Sequence, residues 1–151
     1  MRNFRQIDFG SDDYRKTCQL RNEVLRVPLG LSLLDEDLAG ETDMLHFGLF
    51  DDDGTLLACV IAAPISARVA KLRQMAVSPD HQGKGLGRFV IQELEQRLVS
   101  RGFRELVLHA RAAAQGFYER LGYAAAGAGF IEVGIPHVEM RKALETGDLT
   151  S

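Results

Sequence analysis

The sequence predicts a mixed α/β fold, in which helices pack on a mixed β-sheet. The apolar runs Leu45–Phe50 and Leu56–Ala63 are separated by a turn that ends in Asp53-Gly54, and Asp-Gly between apolar runs is a strong hairpin signal. After this antiparallel pair, strand and helix periodicities alternate along the chain. A chain of 151 residues has the length of one domain, which we expect to cover residues 1–151.

Turn residues and caps divide the chain into elements. Ser11 or Asp12 can cap a first helix that stops before Pro28, and a short second helix is expected to start at Asp35. The predicted strands are Phe4–Phe9, Leu45–Phe50, Leu56–Ala63, Val69–Val77, Leu106–Ala110, and further segments near Tyr123, Phe130–Val133 and Val138–Arg141. Two more helices are predicted, one from Leu86 to the turn at Ser100–Gly102 and one over Ala113–Leu121, and Glu145–Ser151 is expected to be a frayed tail.

Composition excludes several classes of protein. The 46% hydrophobic and 26% charged content is typical of a soluble globular chain. The net charge of −3 argues against general nucleic-acid binding. Leu56–Ala63 is the longest apolar run and is too short to span a bilayer, and the first seven residues lack the centre of a signal peptide. We therefore expect a cytoplasmic protein without a nucleic-acid or membrane partner.

Charge is unevenly distributed. No Lys or Arg occurs from Val27 through Ala67, a stretch that holds eight acids: Asp35, Glu36, Asp37, Glu41, Asp43, Asp51, Asp52 and Asp53. The next stretch is basic, with Arg68, Lys71, Arg73, Lys84 and Arg88. The basic stretch suits an anionic cofactor, and the acidic one can attract a cationic amine. Alternatively, most of the acids form a solvated loop surface.

Neither the cysteines nor the histidines have the spacing of a metal site. Cys18 falls in a predicted helix and Cys59 in an apolar strand, so both are interpreted as small core residues rather than as a disulfide. The four histidines are scattered. We predict no metal.

The segment Val77–Arg88 joins a predicted strand to a helix and carries glycines at 83, 85 and 87. Glycine accepts positive φ and lets several N–H groups point at one ligand, while the start of a helix offers N–H groups without internal partners. A phosphate or pyrophosphate is the natural guest. An ATP-type loop fits poorly because Lys84 is followed by Gly85, and a dinucleotide fingerprint fits poorly because Gly87 comes too early.

Gln82, Gly85 and Gly87 match the pattern Gln or Arg, two residues, Gly, one residue, Gly or Ala. This resembles the acyl-CoA loop of the GCN5-related N-acetyltransferases (GNAT), and the lead-in Met75–Pro79 is similar to that of the family. The resemblance implies a central mixed, largely antiparallel sheet flanked by helices. It also implies that acetyl-CoA is bound by Met75, Ala76, Val77, Gln82, Gly83, Lys84, Gly85, Leu86, Gly87 and Arg88.

A second segment, Ala114–Tyr123, resembles a later motif of the family: Ala, two residues, an aromatic, Tyr, three residues, Gly, then Phe or Tyr. The alternative is a core helix in which Tyr118 is an ordinary half-buried aromatic. Two motifs in the right order, separated by a helix and a strand, favour the family. One departure is Arg111, which stands where many members carry Asn, so an Asn-type cofactor contact is not carried over.

The chemistry implied by the resemblance is acetyl transfer from acetyl-CoA to a primary amine. A backbone N–H among Met75, Ala76 and Val77 would stabilise negative charge on the thioester oxygen, worth about 3 kcal/mol in comparable oxyanion holes. Tyr118 would act as the general acid that protonates the departing thiolate. The resemblance implies an amine acceptor, for which the acidic stretch favours a small cationic molecule, and family members often pair as homodimers.

The base that deprotonates the amine is open at this point. His137, Glu132 and Glu139 are candidates, and the segment Phe130–Met140 looks like the carboxyl-terminal strand pair of the small bacterial ElaA-like branch of the family. Alternatively, Pro136 begins a strand and His137 makes a structural hydrogen bond. Arg21 to Gly30 look like the first-helix region that helps to line the acceptor pocket in the family, although its apolar residues are as well explained by core packing.

Two other functions stay open. One is a non-catalytic acyl-CoA-binding module, which the presence of Tyr118 beside a complete glycine loop disfavours. The other is a nucleotide-phosphate enzyme, which lacks the Lys-Ser or Lys-Thr pair of that class. Acyl chains longer than acetyl and the identity of the acceptor also stay open.

Overall fold

A computed structural model describes residues 2–144 of the chain, in two compact units: residues 2–63 with 74–94, the first unit, and residues 64–73 with 95–144, the second unit. The predicted tail Glu145–Ser151 lies outside the described residues. The α-helices are α1 (Asp12–Arg21), α2 (Leu86–Ser100) and α3 (Gln115–Arg120). The strands are β1 (Asn3–Ile7), β2 (Leu45–Phe50), β3 (Leu56–Pro64), β4 (Val69–Val77), β5 (Glu105–Arg111), β6 (Ala124–Ala125), β7 (Phe130–Glu132) and β8 (Ile135–Ala143). The mixed α/β prediction is confirmed.

In the first unit, β1 pairs antiparallel with β2 and β2 antiparallel with β3. The predicted hairpin between β2 and β3 is confirmed: Thr55 N donates to Asp51 Oδ1 at 3.0 Å, and Gly54 has a φ of 85°. β3 neighbours β4, and Ser78 N, just after β4, donates to Leu57 O at 2.8 Å. Phe47, Leu49 and Val60 are almost fully buried, so these strands are central to the apolar core.

The segment after α1 differs from the prediction. α1 is capped by Ser11, whose Oγ accepts from Tyr14 N, and it passes into a single π-helical turn, Asn22–Arg26. The short α-helix expected at Asp35 is wrong, because 3₁₀ turns at Leu33–Asp35 and Ala39–Asp43 stand there instead. The physical reason is local competition: Ser32 Oγ accepts from Leu34 N and Asp37 Oδ1 accepts from Ala39 N, and such bonds favour turns over helices.

In the second unit, the beginning of β4 pairs parallel with β5, with Val69 opposite Glu105 and Lys71 opposite Val107. β5 pairs antiparallel with β8 along its whole length, and both β6 and β7 pair antiparallel with β8. β8 is longer than the predicted strand, and the predicted helix over Ala113–Leu121 begins as a 3₁₀ turn at Ala112–Ala114. The register of β8 therefore decides which side chains of β5 and β7 meet.

Within residues 2–144, no helix combines the length and the apolar character needed to cross a bilayer.

Candidate active site

The glycine loop, residues 78–88, begins at the end of β4 and is closed by its own side chain. After Val77, a 3₁₀ turn runs over Pro79–His81, and His81 N donates to Ser78 O at 2.9 Å. Gln82 then folds back so that its Nε2 donates to Val77 O at 3.2 Å. Gln82, the first residue of the predicted signature, thus ties the loop to the end of the strand and leaves its backbone amides available.

Two of the three predicted glycines use the conformation that only glycine adopts easily. Gly83 and Gly85 have φ of 79° and 78°, and a Cβ built on either meets no atom within 4 Å. Both are exposed, as are Lys84 and Arg88. Their positive φ turns the chain into α2, and the empty space beside them lets a ligand approach the backbone.

Gly85 is also the point where α2 starts, because Gly85 O accepts from Phe89 N at 3.1 Å. The amides of Leu86, Gly87 and Arg88 precede the first intrahelical donor and have no acceptor inside the helix. Gly87 lies in the first turn of α2, where it adds no side chain that could cover the backbone amides. Partial positive charge from a helix of 15 residues adds to these donors. The loop has the features of an anion cradle.

The strand that leads into the loop is distorted at Gln74, whose φ is 53°, inside β4. Arg26, at the end of the π-helical turn, donates from Nη2 to Gln74 Oε1 at 3.2 Å and holds Glu36 through Nε and Nη2 at 2.5 and 3.1 Å. The hydrogen bond from Arg26 keeps the pKa of Glu36 below its usual range. A neighbouring cluster, Leu20, Cys59 and Ala76 with Val24 and Leu25, packs the same segment on the strand end. Residues 24–26 therefore fix the approach to Met75, Ala76 and Val77.

A buried polar group that the sequence did not reveal lies in the first unit. The Arg21 cluster consists of Tyr14, Arg21, Glu41 and His46. Arg21 is 1% exposed and donates from Nη1 and Nη2 to the two carboxylate oxygens of Glu41 at 2.9 and 2.6 Å. Tyr14 OH donates to Glu41 Oε1 at 2.6 Å, and His46 Nε2 donates to Glu41 O at 2.8 Å.

The Arg21 cluster changes the interpretation of the acidic stretch. Burial tends to raise the pKa of Glu41, but the hydrogen bonds from Arg21 and Tyr14 outweigh it and lower that pKa. Glu36 is paired with Arg26 in the same way. Asp51 and Asp53 accept from Thr55 in the hairpin turn. Asp35, Asp37 and Asp43, like Asp52 and Asp53 of the hairpin turn, are exposed at the surface of this stretch.

Tyr118, the predicted acid, lies on α3 in the second unit and is half-buried. Its ring lies 5.0 Å from that of Phe117 and 5.9 Å from that of Tyr123, centroid to centroid. Burial raises the pKa of Tyr118, so the phenol holds its proton throughout the neutral range.

The end of α3 is fixed by a polar anchor. Tyr123 OH donates to Glu95 Oε2 at 2.7 Å, and Lys142 Nζ donates to Glu95 Oε1 and to Leu121 O at 2.9 and 2.8 Å. Burial and the charge of Glu95 raise the pKa of Tyr123. The anchor joins α2, β8 and the last turn of α3, and it restricts the orientation of the helix that carries Tyr118.

The predicted base candidates lie on the hairpin of β7 and β8. His137 is buried, its Nδ1 lies 2.7 Å from Ile135 O, and its Cα partner on β5 is the exposed Arg111. Glu132 and Glu139 both face His109 of β5: Glu132 Oε1 lies 3.0 Å from Nδ1 and Glu139 Oε1 lies 3.8 Å from Nε2. Lys71 Nζ of β4 lies 3.4 Å from Nδ1. We call Lys71, His109, Glu132 and Glu139 the His109 cluster.

The His109 cluster was missed from the sequence because its four residues come from four strands. In the part of the chain that the structure describes, no group of three or more His, Cys, Asp or Glu has the arrangement of a metal site.

Residues 32–144 match the family model of the acetyltransferase (GNAT) domain. Over 137 residues, the chain is 32% identical to the Bacillus subtilis protein named "Putative acetyltransferase BSU40680", covering 86% of this chain and 89% of that protein. It is 35% identical over 82 residues to YyaT of the same organism, a match that covers 54% of this chain and about half, 55%, of YyaT.

Similar solved structures share the fold at low identity. An acyl-CoA N-acyltransferase from Pseudomonas aeruginosa has a TM-score of 0.82 at 23% identity, covering 95% of this chain and 100% of that one. Escherichia coli ElaA has a TM-score of 0.79 at 20% identity, covering 94% and 99%. The GNAT fold predicted from the two motifs is therefore confirmed.

Two further similar structures are of enzymes whose names include an amine substrate. An aminoglycoside 6'-N-acetyltransferase complexed with coenzyme A has a TM-score of 0.76 at 16% identity, covering 95% of this chain and 97% of that one. A spermidine/spermine N-acetyltransferase from Vibrio cholerae has a TM-score of 0.73 at 20% identity, covering 95% and 93%.

Proposed function

The chain belongs to the GNAT family of acetyltransferases, and on that premise we propose that it transfers an acetyl group from acetyl-CoA to a primary amine of a small cationic acceptor. The observation that carries the proposal is the glycine loop. Gln82 closes it onto Val77, and Gly83 and Gly85 bend it with positive φ into the start of a 15-residue helix. CoA carries a diphosphate, the group that such a set of backbone donors binds best.

The loop binds CoA in this proposal, and Met75, Ala76 and Val77 pair with its pantetheine arm in the manner of a strand. Gly83, Gly85 and the amides of Leu86, Gly87 and Arg88 receive the diphosphate. Lys84 and Arg88 are exposed cations on the same loop and add long-range attraction for the anion. The side-chain Nε2 of Gln82 supports the loop through its bond to Val77 O, and the backbone of Gln82 belongs to the proposed CoA-binding segment.

The proposed reaction needs one general acid, Tyr118. The neutral amine forms a C–N bond to the thioester carbonyl, and a backbone N–H among Met75, Ala76 and Val77 stabilises the oxyanion. The C–S bond then breaks with its electron pair on sulfur, which takes the phenolic proton of Tyr118. The nitrogen loses its extra proton as the amide forms, and this proton returns to the Tyr118 phenolate, so that CoA leaves as the thiol.

The proposed acceptor class has two supports. Two structurally similar enzymes are named for aminoglycoside and for spermidine or spermine, which are polycationic amines. In this chain, Asp35, Asp37 and Asp43 are exposed on the segment after α1, whereas Glu36 and Glu41 are neutralised by arginines. Arginines therefore neutralise two of the eight acids, and the exposed aspartates of this stretch remain to attract a cation.

Release of CoA thiol from acetyl-CoA with a panel of amines tests the function. The panel contains spermidine, an aminoglycoside, a free amino acid and a peptide with a free amino terminus. We expect turnover with a polyamine or an aminoglycoside and an acetylated product one acetyl group heavier by mass spectrometry. Tight binding of acetyl-CoA without turnover of any amine would instead favour a binding module.

A further inference from the structure

The His109 cluster combines a histidine, two carboxylates and an ammonium group on adjoining strands of the second unit. His109 is paired in register with Glu139 across β5 and β8, and Glu132 reaches it from β7. The imidazole is partly open to solvent, with 25% of its side chain exposed. In the Arg21 cluster, by contrast, the arginine is buried and both of its terminal nitrogens are paired with the same carboxylate. A histidine with one engaged and one approachable nitrogen is a different kind of arrangement.

The contacts assign the hydrogen of the neutral ring. Glu132 is an acceptor and Lys71 a donor, and both approach Nδ1, at 3.0 and 3.4 Å. The shorter contact places N–H at Nδ1, donating to Glu132 Oε1. Nε2 then has a free lone pair. A histidine is an effective proton acceptor in enzymes when a carboxylate holds its Nδ1–H and its Nε2 carries the free lone pair.

The surroundings of Nε2 fit an ammonium group. Glu139 Oε1 lies 3.8 Å from Nε2, while Glu139 Oε2 is held by Arg141 Nε at 2.9 Å. Arg141 also donates to Glu105 at 3.3 Å, so its charge is shared between two carboxylates. Phe130 presents its ring to His109 at 4.9 Å between centroids, edge to face. One carboxylate oxygen and one imidazole nitrogen together offer a cation an ion pair and a hydrogen bond beside this aromatic ring.

We propose that the acceptor enters as a protonated alkylamine, binds with its ammonium group between Glu139 Oε1 and His109 Nε2, and gives one proton to His109. Glu132 is the positioning residue that holds the ring through Nδ1. The inference rests on the proposed acetyl transfer and replaces His137 and Glu132 as bases by His109. The balance is R–NH₃⁺ plus neutral His109 giving R–NH₂ plus the imidazolium, which releases its proton to solvent after the amide and the CoA thiol have formed.

Positively and negatively charged groups face the His109 ring and bear on the expected pH dependence. They are the ammonium of Lys71 from β4 and the carboxylates of Glu132 from β7 and Glu139 from β8, and Glu139 is also paired with Arg141. In His109→Gln, the amine can react only as its free base, whose fraction rises with pH. We expect kcat/KM for the amine to fall about 100-fold at neutral pH and to recover toward the wild-type value in alkaline buffer.

The experiment measures kcat/KM for spermidine at saturating acetyl-CoA from pH 6 to 10, with wild type, His109→Gln, Glu132→Gln and the double variant. Thermal melts and CoA affinity establish folding. If Glu132 acts through His109, the single Glu132→Gln costs about 10-fold and the double variant is no worse than His109→Gln. Asp8→Asn, an exposed carboxylate of the first unit, is the matched control and should keep the wild-type profile.

Three outcomes separate the claims. Alkaline recovery of His109→Gln with a non-additive double variant supports the inference. An equal loss at every pH, or no loss, overturns it while the amine acetyltransferase stands. Absence of wild-type turnover with every amine of the panel overturns the proposed function and the inference with it.

Discussion

The glycine loop of the first unit and the Tyr118 and His109 regions of the second unit are built from different parts of the chain. The loop works with backbone: two left-handed glycines, free amides and one glutamine that returns to Val77 O. The second unit supplies side chains: a phenol on α3 and an imidazole between carboxylates. Backbone donors hold a ligand, and titratable side chains move protons. Variants of the loop should therefore change affinity, and variants of the side chains should change rate.

The largest expected effect is on the rate. Tyr118→Phe removes the acid but keeps the ring that packs on Phe117 and Tyr123. We expect kcat to fall about 10³-fold with little change in the KM for acetyl-CoA. Steady-state thiol release gives both constants.

The matched control is Tyr123→Phe, which loses the hydrogen bond to Glu95 in the same unit. It should lower stability by about 1 kcal/mol and leave kcat within a few-fold of wild type. Equal losses of kcat in the two variants would remove Tyr118 from the role of acid.

The Arg21 cluster is a third region, and variants there should change the free energy of unfolding rather than CoA affinity or rate. Glu41→Gln leaves the buried Arg21 without its counter-charge, and we expect this to lower the free energy of unfolding by about 3 kcal/mol. Urea denaturation followed by circular dichroism measures it, and CoA affinity at low temperature should be unchanged.

The same variant tests a pH dependence. The pKa of Glu41 is lowered in the folded protein, so its contribution is present at neutral pH, above the unfolded pKa near ~4.3, and is lost as pH falls through the folded value. Wild type should lose more stability on acidification than Glu41→Gln. Parallel curves from pH 7 to pH 3 would show that Glu41 contributes no such term.

A change at the loop should act on affinity. Gly85→Val forces a β-branched residue to a φ of 78°, which costs about 1–2 kcal/mol, and the relaxed loop would misdirect its amides. We expect CoA affinity to fall about 30-fold by calorimetry. Gly54→Val is the control, since Gly54 has a φ of 85° in the exposed hairpin of the same unit. The two variants should lose similar stability, and a similar loss of affinity in both would refute a specific role for Gly85.

The smallest effect concerns the distorted strand. Gln74→Gly relieves the left-handed backbone at a φ of 53° and should stabilise the protein by up to about 1 kcal/mol. It also removes the acceptor of Arg26. If this contact holds the strand end, acetyl-CoA affinity should fall a few-fold while the melting temperature rises. A rise in both the acetyl-CoA affinity and the melting temperature would mean that Arg26 does not position Met75, Ala76 and Val77.

The parts predicted correctly from the sequence depend on local patterns. Alternation and turn residues located β4 at Val69–Val77 without error, and the spacing of Gln82, Gly85 and Gly87 pointed to the fold because a glycine loop is encoded by adjacent residues. The helix expected at Asp35 was wrong because short polar side chains bonded their own backbone instead.

The parts that were missed depend on pairing between distant segments. Glu41 looked like a surface acid until α1 placed Arg21 against it, 20 residues away in sequence. His109 gained its partners only from the register of β8 with β5 and of β7 with β8. Nothing in the local composition of either segment specifies such contacts, because strand register is set by the packing of the whole sheet.

Calorimetric titration of the wild-type protein with acetyl-CoA and with acetyl-pantetheine, which lacks the diphosphate and the nucleotide, tests the central claim most directly. If the backbone amides of residues 83–88 bind the diphosphate, acetyl-CoA should bind at least about 100-fold more tightly, a difference of about 2.7 kcal/mol. Equal affinity for the two thioesters, or no heat with acetyl-CoA, would contradict the account.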